Sequence, residues 1–198
     1  AELVVYYAPR ITSSFTSKTV NESDTATFTV TGDALDAKGT DITCSWYKDK
    51  KALKDGGTIS GAKTPTLTIA GVTGADYGSY YCELKNGAGK VNSSAAKLTV
   101  VLKPYSTKVL ANFDLPEGKN VNFSASVRGG KPLTYQWRKD GSNISGQKTN
   151  KLSLRALKPK DSGTYSLVAT NPAGSLTLTA TLTVQAASTV TKSVTSMD

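Results

Sequence analysis

The sequence predicts an all-β protein built as two tandem sandwiches, and three observations carry that prediction. Short segments alternate apolar with polar residues over four to nine positions: "ATFTV", "TLTI", "VNFSASV", "KLSL" and "LTLTATLTV". That period of two is the signature of a half-buried strand, and clusters of Gly, Asn and Asp punctuate the segments. The chain has 198 residues, which suits two domains of about 100 residues, each able to bury a core. Finally, the two halves repeat one another. "TISGAKTPTLTIAGVTGADYGSYYCELKNGAGK" and "NISGQKTNKLSLRALKPKDSGTYSLVATNPAGS" align with every landmark shifted by 85: Leu67 with Leu152, Asp76 with Asp161, Tyr80 with Tyr165, Asn86 with Asn171.

From the N-terminus, residues 1–8 form a strand-like extension. Leu3, Val5 and Tyr7 alternate in "LVVYYAP", which matches "LTVVLKP", the last strand of the first repeat, at an offset of 95. The chain thus opens as though finishing an earlier domain. Either it is cut from a longer array, or it is complete with a spare strand suited to adding onto a partner's sheet edge. A chain starting Ala-Glu reads as complete after loss of an initiator methionine.

The first domain, residues 9–102, contains "ITCSWYKD" with Trp46, then a loop, "KDKKALKDGG", six residues longer than its counterpart. The second, residues 103–185, contains "LTYQWRKD" with Trp137 in the matching place. Residues 186–198, "AASTVTKSVTSMD", are Ser/Thr-rich without strong alternation and are expected to be a flexible tail.

Charge divides unevenly over this plan. The formal net charge is +9; residues 9–102 hold 11 basic and 9 acidic side chains, while residues 103–184 hold 12 and 4. Arg128, Lys131, Arg138, Lys139, Lys158 and Lys160 are candidates for a basic docking face against an acidic protein surface. Aromatics at framework spacing and the absence of a long basic run argue against nucleic acid. There is no histidine and there are two cysteines. A Ser/His/Asp triad, a histidine metal site and a four-sulfur zinc site are therefore excluded. No catalytic, metal or cofactor site is predicted, and no apolar run approaches the ~18 residues of a membrane-crossing helix.

The order Trp, then "L-x-[IL]", then "D-x-G-x-Y" and "N-x-A-G", occurring twice, resembles the immunoglobulin domain of the I-set. The fold class this implies is two tandem immunoglobulin-like β-sandwiches. Trp46 and Trp137 would fill the cores, Asp76 and Asp161 would close the turn before the sixth strand, Gly78 and Gly163 would permit its backbone, and Tyr80 and Tyr165 would form tyrosine corners. The family's bridge joins a second-strand cysteine to a sixth-strand cysteine. Here those places read Val30 and Cys82 in one domain, Ala125 and Leu167 in the other, so the usual inter-sheet disulfide is absent. Cys44, two residues before Trp46, points to the same core face as Cys82. An in-sheet bridge between them requires direct opposition, whereas a diagonal offset leaves two buried thiols.

The "I-S-G-x-K-T-x-x-L-x-[IL]" form resembles the bacterial and phage branch of these domains, similar to phage outer-capsid decoration proteins. That resemblance implies a virion protein made in the host cytoplasm. Its partners would be a capsid or tail protein, with weak contacts to a host surface or glycan. The alternative is a fragment of an exported multidomain adhesin or receptor at the cell surface. Four N-glycosylation triplets, beginning at Asn21, Asn92, Asn122 and Asn143, accord with export. An intracellular sarcomere-like array also tolerates missing disulfides.

Overall fold

The computed structural model describes residues 7–33 and 42–187. The chain divides into two compact units, Ala1–Lys103 and Pro104–Asp198, called domains one and two below.

In domain one the strands are β1 (Arg10–Ser13), β2 (Lys18–Asn21), β3 (Ala26–Thr29), β4 (Thr31–Asp33), β5 (Thr43–Lys48), β6 (Lys51–Ala52), β7 (Ile59–Ser60), β8 (Thr66–Ile69), β9 (Gly78–Lys85), β10 (Lys90–Asn92) and β11 (Ala96–Val101). One sheet runs β2-β11-β9-β5-β6, with β10 also on β9; the other runs β3-β8-β7, and β1 pairs with β4. β2 lies parallel to β11, and the other pairings are antiparallel.

Domain two repeats the plan with β12 (Phe113–Pro116), β13 (Val121–Ser124), β14 (Thr134–Lys139), β15 (Ser142–Asn143), β16 (Lys151–Leu154), β17 (Gly163–Asn171) and β18 (Gly174–Gln185). Its large sheet is β12-β18-β17-β14-β15, its small one β13-β16. No α-helix occurs among the described residues.

The alternation read from the sequence explains the layers. In β9 every second residue from Gly78 to Leu84 is buried, and β3, β8 and β13 show the same period. On each strand the alternate side chains that are buried meet between the sheets, where apolar burial is worth roughly 25 cal/mol per Å². Each core is built around a tryptophan with no exposed surface, Trp46 or Trp137. Phe28 stacks on Tyr80 at 5.2 Å, and Phe123 stacks on Tyr165 at 5.2 Å. Val30, Cys82, Ala125 and Leu167, which occupy the places of the family's bridge, are all buried in these cores. No disulfide at these places therefore joins the two sheets.

Candidate recognition surfaces

The polar landmarks of the repeat are consumed by the framework. The Asp76 carboxylate accepts hydrogen bonds from the Thr73 N–H (2.8 Å) and hydroxyl (3.0 Å), closing a short 3-10 turn, Gly74–Asp76. Asp161 does the same from the Lys158 N–H at 2.7 Å, over Pro159–Asp161. The Tyr80 hydroxyl donates to the Asp76 carbonyl at 2.7 Å and the Tyr165 hydroxyl to the Asp161 carbonyl at 2.8 Å. Burial pushes both phenols upward, Tyr165 to about 12, and carboxylates nearby add to the effect. The indoles of Trp46 and Trp137 donate to the carbonyls of Thr64 (2.8 Å) and Thr149 (3.0 Å). Asn86 and Asn171, both buried, each receive two backbone N–H groups of the turn that follows them.

One expectation about this framework needs correction. Gly78 and Gly163 were expected to serve the turn's backbone in the same way. Gly163 has φ of 151°, but Gly78 is not among the positive-φ glycines. What both share is crowding by an aspartate carboxylate. Asp49 accepts from the Ser79 N–H at 2.9 Å and Asp140 from the Thr164 N–H at 2.8 Å. A Cβ at Gly78 would stand 2.6 Å from the Asp49 carboxylate, and one at Gly163 2.7 Å from that of Asp140. The matching "KD" of "YKD" and "RKD" was the available signal.

Cys44 pairs with Leu84 and Cys82 with Trp46 across β5 and β9, so the two cysteines are diagonal neighbours. Both are free and buried. Burial raises both thiols, Cys82 to about 12, which leaves them protonated and inert at neutral pH.

The proposed anchoring strand falls mostly outside the described residues, since only Tyr7 of Leu3, Val5 and Tyr7 is described. Tyr7 is in no strand; its carbonyl accepts from the Asn86 side-chain amide at 2.8 Å, which ties it into domain one.

The six basic residues do not form one face. Arg128 and Lys131 follow β13 in the connection to β14, and Gly130 there accepts from the Asn171 amide at 2.8 Å, placing them beside the β17–β18 turn. Lys139 and Lys160 lie by the opposite turn, the Lys139 ammonium donating to the Lys160 carbonyl at 3.0 Å. Lys158 is paired with Glu117 at 3.2 Å. Arg138 donates to the Asn143 side chain at 2.9 Å. The antiparallel run of β14 and β17 separates the two groups by the length of the sandwich, so the sequence's single basic face resolves into two small clusters.

The surface that alternation did not foresee lies in domain one. Tyr47 and Tyr81 are directly opposed on β5 and β9, on the face of the sheet turned away from the core. Their rings stack at 4.8 Å with 2° between planes. Tyr77, 51% exposed, lies under the Lys97 ammonium, 4.8 Å from its ring centre. Beside Tyr81 is a hollow of about 360 Å³ lined by Asp49, Lys50, Ser79, Tyr81 and Ala95. In sequence, its only sign was aromatic residues at the outward positions of "SWYKD" and "GSYYCE".

Among the described residues no group of three or more acidic or cysteine side chains could hold a metal ion, and no helix is long and apolar enough to cross a membrane.

Residues 104–184 match the immunoglobulin I-set domain model, and residues 8–86 an immunoglobulin domain model. The chain is similar to Roundabout homolog 1 of Homo sapiens, 33% identical over 151 residues, covering 72% of this chain and 9% of that protein. It is similar also to the muscle M-line assembly protein unc-89 of Caenorhabditis elegans, 29% identical over 147 residues, covering 65% of this chain and 2% of that one. Among solved structures, an I-band fragment of titin superposes with a TM-score of 0.70 at 25% identity, covering 91% of this chain and 66% of the fragment. The chain thus spans under a tenth of these curated relatives. They are animal proteins, so the bacterial and phage kinship expected from the "I-S-G-x-K-T" form is not what these relatives reflect. The alternative of a multidomain adhesin or receptor fits them better.

Proposed function

We propose, from a chain both of whose halves belong to the immunoglobulin domain family, that this protein is a non-enzymatic recognition module of the cell-surface adhesin or receptor kind. The observation that carries this reading is the complete use of the repeat's polar landmarks in turns and corners. Asp76, Asp161, Tyr80, Tyr165, Asn86 and Asn171 all have partners inside their own domain. Function in such a scaffold falls to loops and outer sheet faces. Export is supported by glycosylation triplets whose asparagines Asn92, Asn122 and Asn143 are exposed.

The test is to tetramerise the full chain on a carrier and stain cultured animal cells. Saturable staining that mild protease treatment of the cells abolishes is the expected result. Absence of saturable staining, or staining that survives protease but not glycosidase, overturns a protein-recognition role.

A second reading rests on a separate observation, the free thiols and the absent bridge in both domains. A framework stabilised without disulfides suits a reducing compartment, as in an intracellular structural array or a protein assembled onto a virion after synthesis in cytoplasm. Fractionation of the native protein separates the readings. Glycans on Asn92, Asn122 or Asn143 support export, whereas an unglycosylated cytosolic pool overturns it.

A further inference from the structure

We infer that the outer face of the β11-β9-β5-β6 sheet in domain one is a docking surface for an acidic protein segment that presents an apolar side chain beside carboxylates. The inference rests on the recognition role proposed above and gives it a site and a partner chemistry.

The surface is shaped by a register step. Glu83 pairs with Asn92 on β10, yet Tyr80 pairs with Ala96 on β11. Two residues of β9, Tyr81 and Cys82, therefore face three of the returning chain, Ser93 to Ala95. That extra residue is a β-bulge. The Ser93 hydroxyl fills the broken ladder by accepting from the Cys82 N–H at 3.0 Å, and Ala95 is left exposed at the hollow's wall. In domain two, β17 and β18 pair without interruption from Gly163–Leu182 to Asn171–Gly174.

The side chains of this face are of the kind that partners cover. Solvent-facing strand positions ordinarily carry polar residues, and aromatics clustered beside a concavity are the usual composition of an interface centre. Here the stacked pair Tyr47 and Tyr81 stands between the exposed methyl of Ala52, opposite Tyr47 on β6, and that of Ala95. The matching places in domain two are Arg138 for Tyr47, Ser166 for Tyr81 and Ser162 for Tyr77. The same scaffold therefore stands without the tyrosines.

Charge chooses the occupant. Lys50, at the hollow, and Lys63, whose ammonium donates to the Ser45 hydroxyl at 2.9 Å, flank the pair on the β5 side and Lys97, paired with Ser79, on the β11 side, all exposed. The carboxylates nearby are already engaged: Asp49 by the Ser79 N–H, Glu83 by Lys90 at 2.8 Å. A positive rim around an aromatic floor favours a partner bringing carboxylates. A second copy of this chain would set lysines against lysines, which disfavours self-pairing through this face.

The probe is a fluorescein-labelled synthetic peptide with one central Leu flanked by Asp and Glu, alongside a counterpart with Lys for each carboxylate. Anisotropy titration of the full chain is expected to saturate with the acidic peptide alone. Tyr81→Ser should weaken that binding by roughly tenfold, the scale of a buried aromatic anchor, and Lys50→Glu should weaken it further in low salt. Both changes sit on exposed or half-exposed positions, and an unchanged methyl spectrum will show that the sandwich persists. Saturation unaffected by Tyr81→Ser, or lost instead with Arg138→Glu in domain two, overturns the site. Failure of the acidic peptide to saturate overturns the partner chemistry. A dimer in sedimentation that Tyr47→Arg dissolves replaces it with a second copy. If the tetramerised wild type stains cells and the Tyr81→Ser tetramer stains them equally, this inference fails while the recognition role stands; if the wild type stains none, the role fails and the peptide titration still judges the face.

Discussion

Domain one and domain two share the hydrogen bonds of their corners and turns and differ on the outside. The tyrosine corner, the carboxylate-closed turn, the indole donating to a carbonyl eighteen or twelve residues on, and the asparagine that organises the last hairpin recur in both. Each satisfies backbone groups that would otherwise be buried without partners. No such demand acts on the outward residues of the large sheet, and there the domains part company: tyrosines and lysines beside a bulge in one, threonine, serine and arginine along an uninterrupted ladder in the other. Positions bound to the backbone stay fixed after duplication, while positions facing solvent can take up a partner.

The strongest way to break the claim that the domains are independent copies is to remove each core. Every domain holds one tryptophan, so each reports on its own sandwich. Trp46→Ala and Trp137→Ala should each cost about 3–5 kcal/mol. Urea unfolding followed by fluorescence of the remaining tryptophan should be unchanged in the untouched domain. A shift of both transitions would show that the domains fold as one unit.

Alkaline pH should separate the domains next. Burial favours the neutral forms of Tyr80, Cys44 and Cys82 in domain one and of Tyr165 in domain two. In the unfolded chain thiols ionise near pH 9 and phenols near pH 10, by approximate ordinary values. The stability these groups contribute is therefore fully present below those values and is lost as pH rises through them towards the raised folded values, about 12 for Cys82 and Tyr165. Domain one should begin to weaken above about pH 9 and domain two above about pH 10. Urea midpoints read from methyl resonances at several pH values check this. Replacing the thiols together, Cys44→Ala with Cys82→Val, should delay the onset in domain one; equal onsets in the wild type would contradict the assignment.

Much of this was legible in the sequence because a repeat compared with itself reports on backbone needs. The shift of 85 paired Asp76 with Asp161 and Tyr80 with Tyr165, and alternation placed Cys44 and Cys82 on the core side of their strands. What stayed hidden depended on register and on pairing across the sheet. Whether the two cysteines oppose one another could not be read without knowing that Trp46, not Cys44, faces Cys82. A lysine count could not tell that Arg128 and Lys160 stand at opposite ends of a sandwich. The bulge was concealed too, because the repeat keeps its spacing through Gly89 and Gly174 and slips only beyond them.

The two corner glycines sharpen the comparison at smaller scale. Gly163→Ala must place a methyl at φ of 151° and beside the Asp140 carboxylate, whereas Gly78→Ala meets only the crowding from Asp49 and Lys48. The first should cost about 1–3 kcal/mol, the second less, since a carboxylate at the end of a side chain can move. Differential scanning calorimetry of the two variants reads the order directly. A larger loss at Gly78 would mean that the Asp49 clasp, not backbone conformation, fixes the start of the strand.

The smallest expected stability effect belongs to the face assigned to binding. The Tyr47–Tyr81 stack is half-buried, and such pairs add about 0.5–1.5 kcal/mol beyond their area. Domain two carries Arg138 and Ser166 at the same places and keeps its ladder intact. Tyr81→Ser should therefore lower the stability of domain one by about 1 kcal/mol, within the range of an ordinary surface change, and leave its fold unaltered. A loss of several kcal/mol would place the stack among the supports of the sandwich, and its aromatic character would then need no partner to explain it. A small loss, with weakened peptide binding, separates the two kinds of residue in this molecule: those that the duplicated framework requires, and those that one copy alone has acquired.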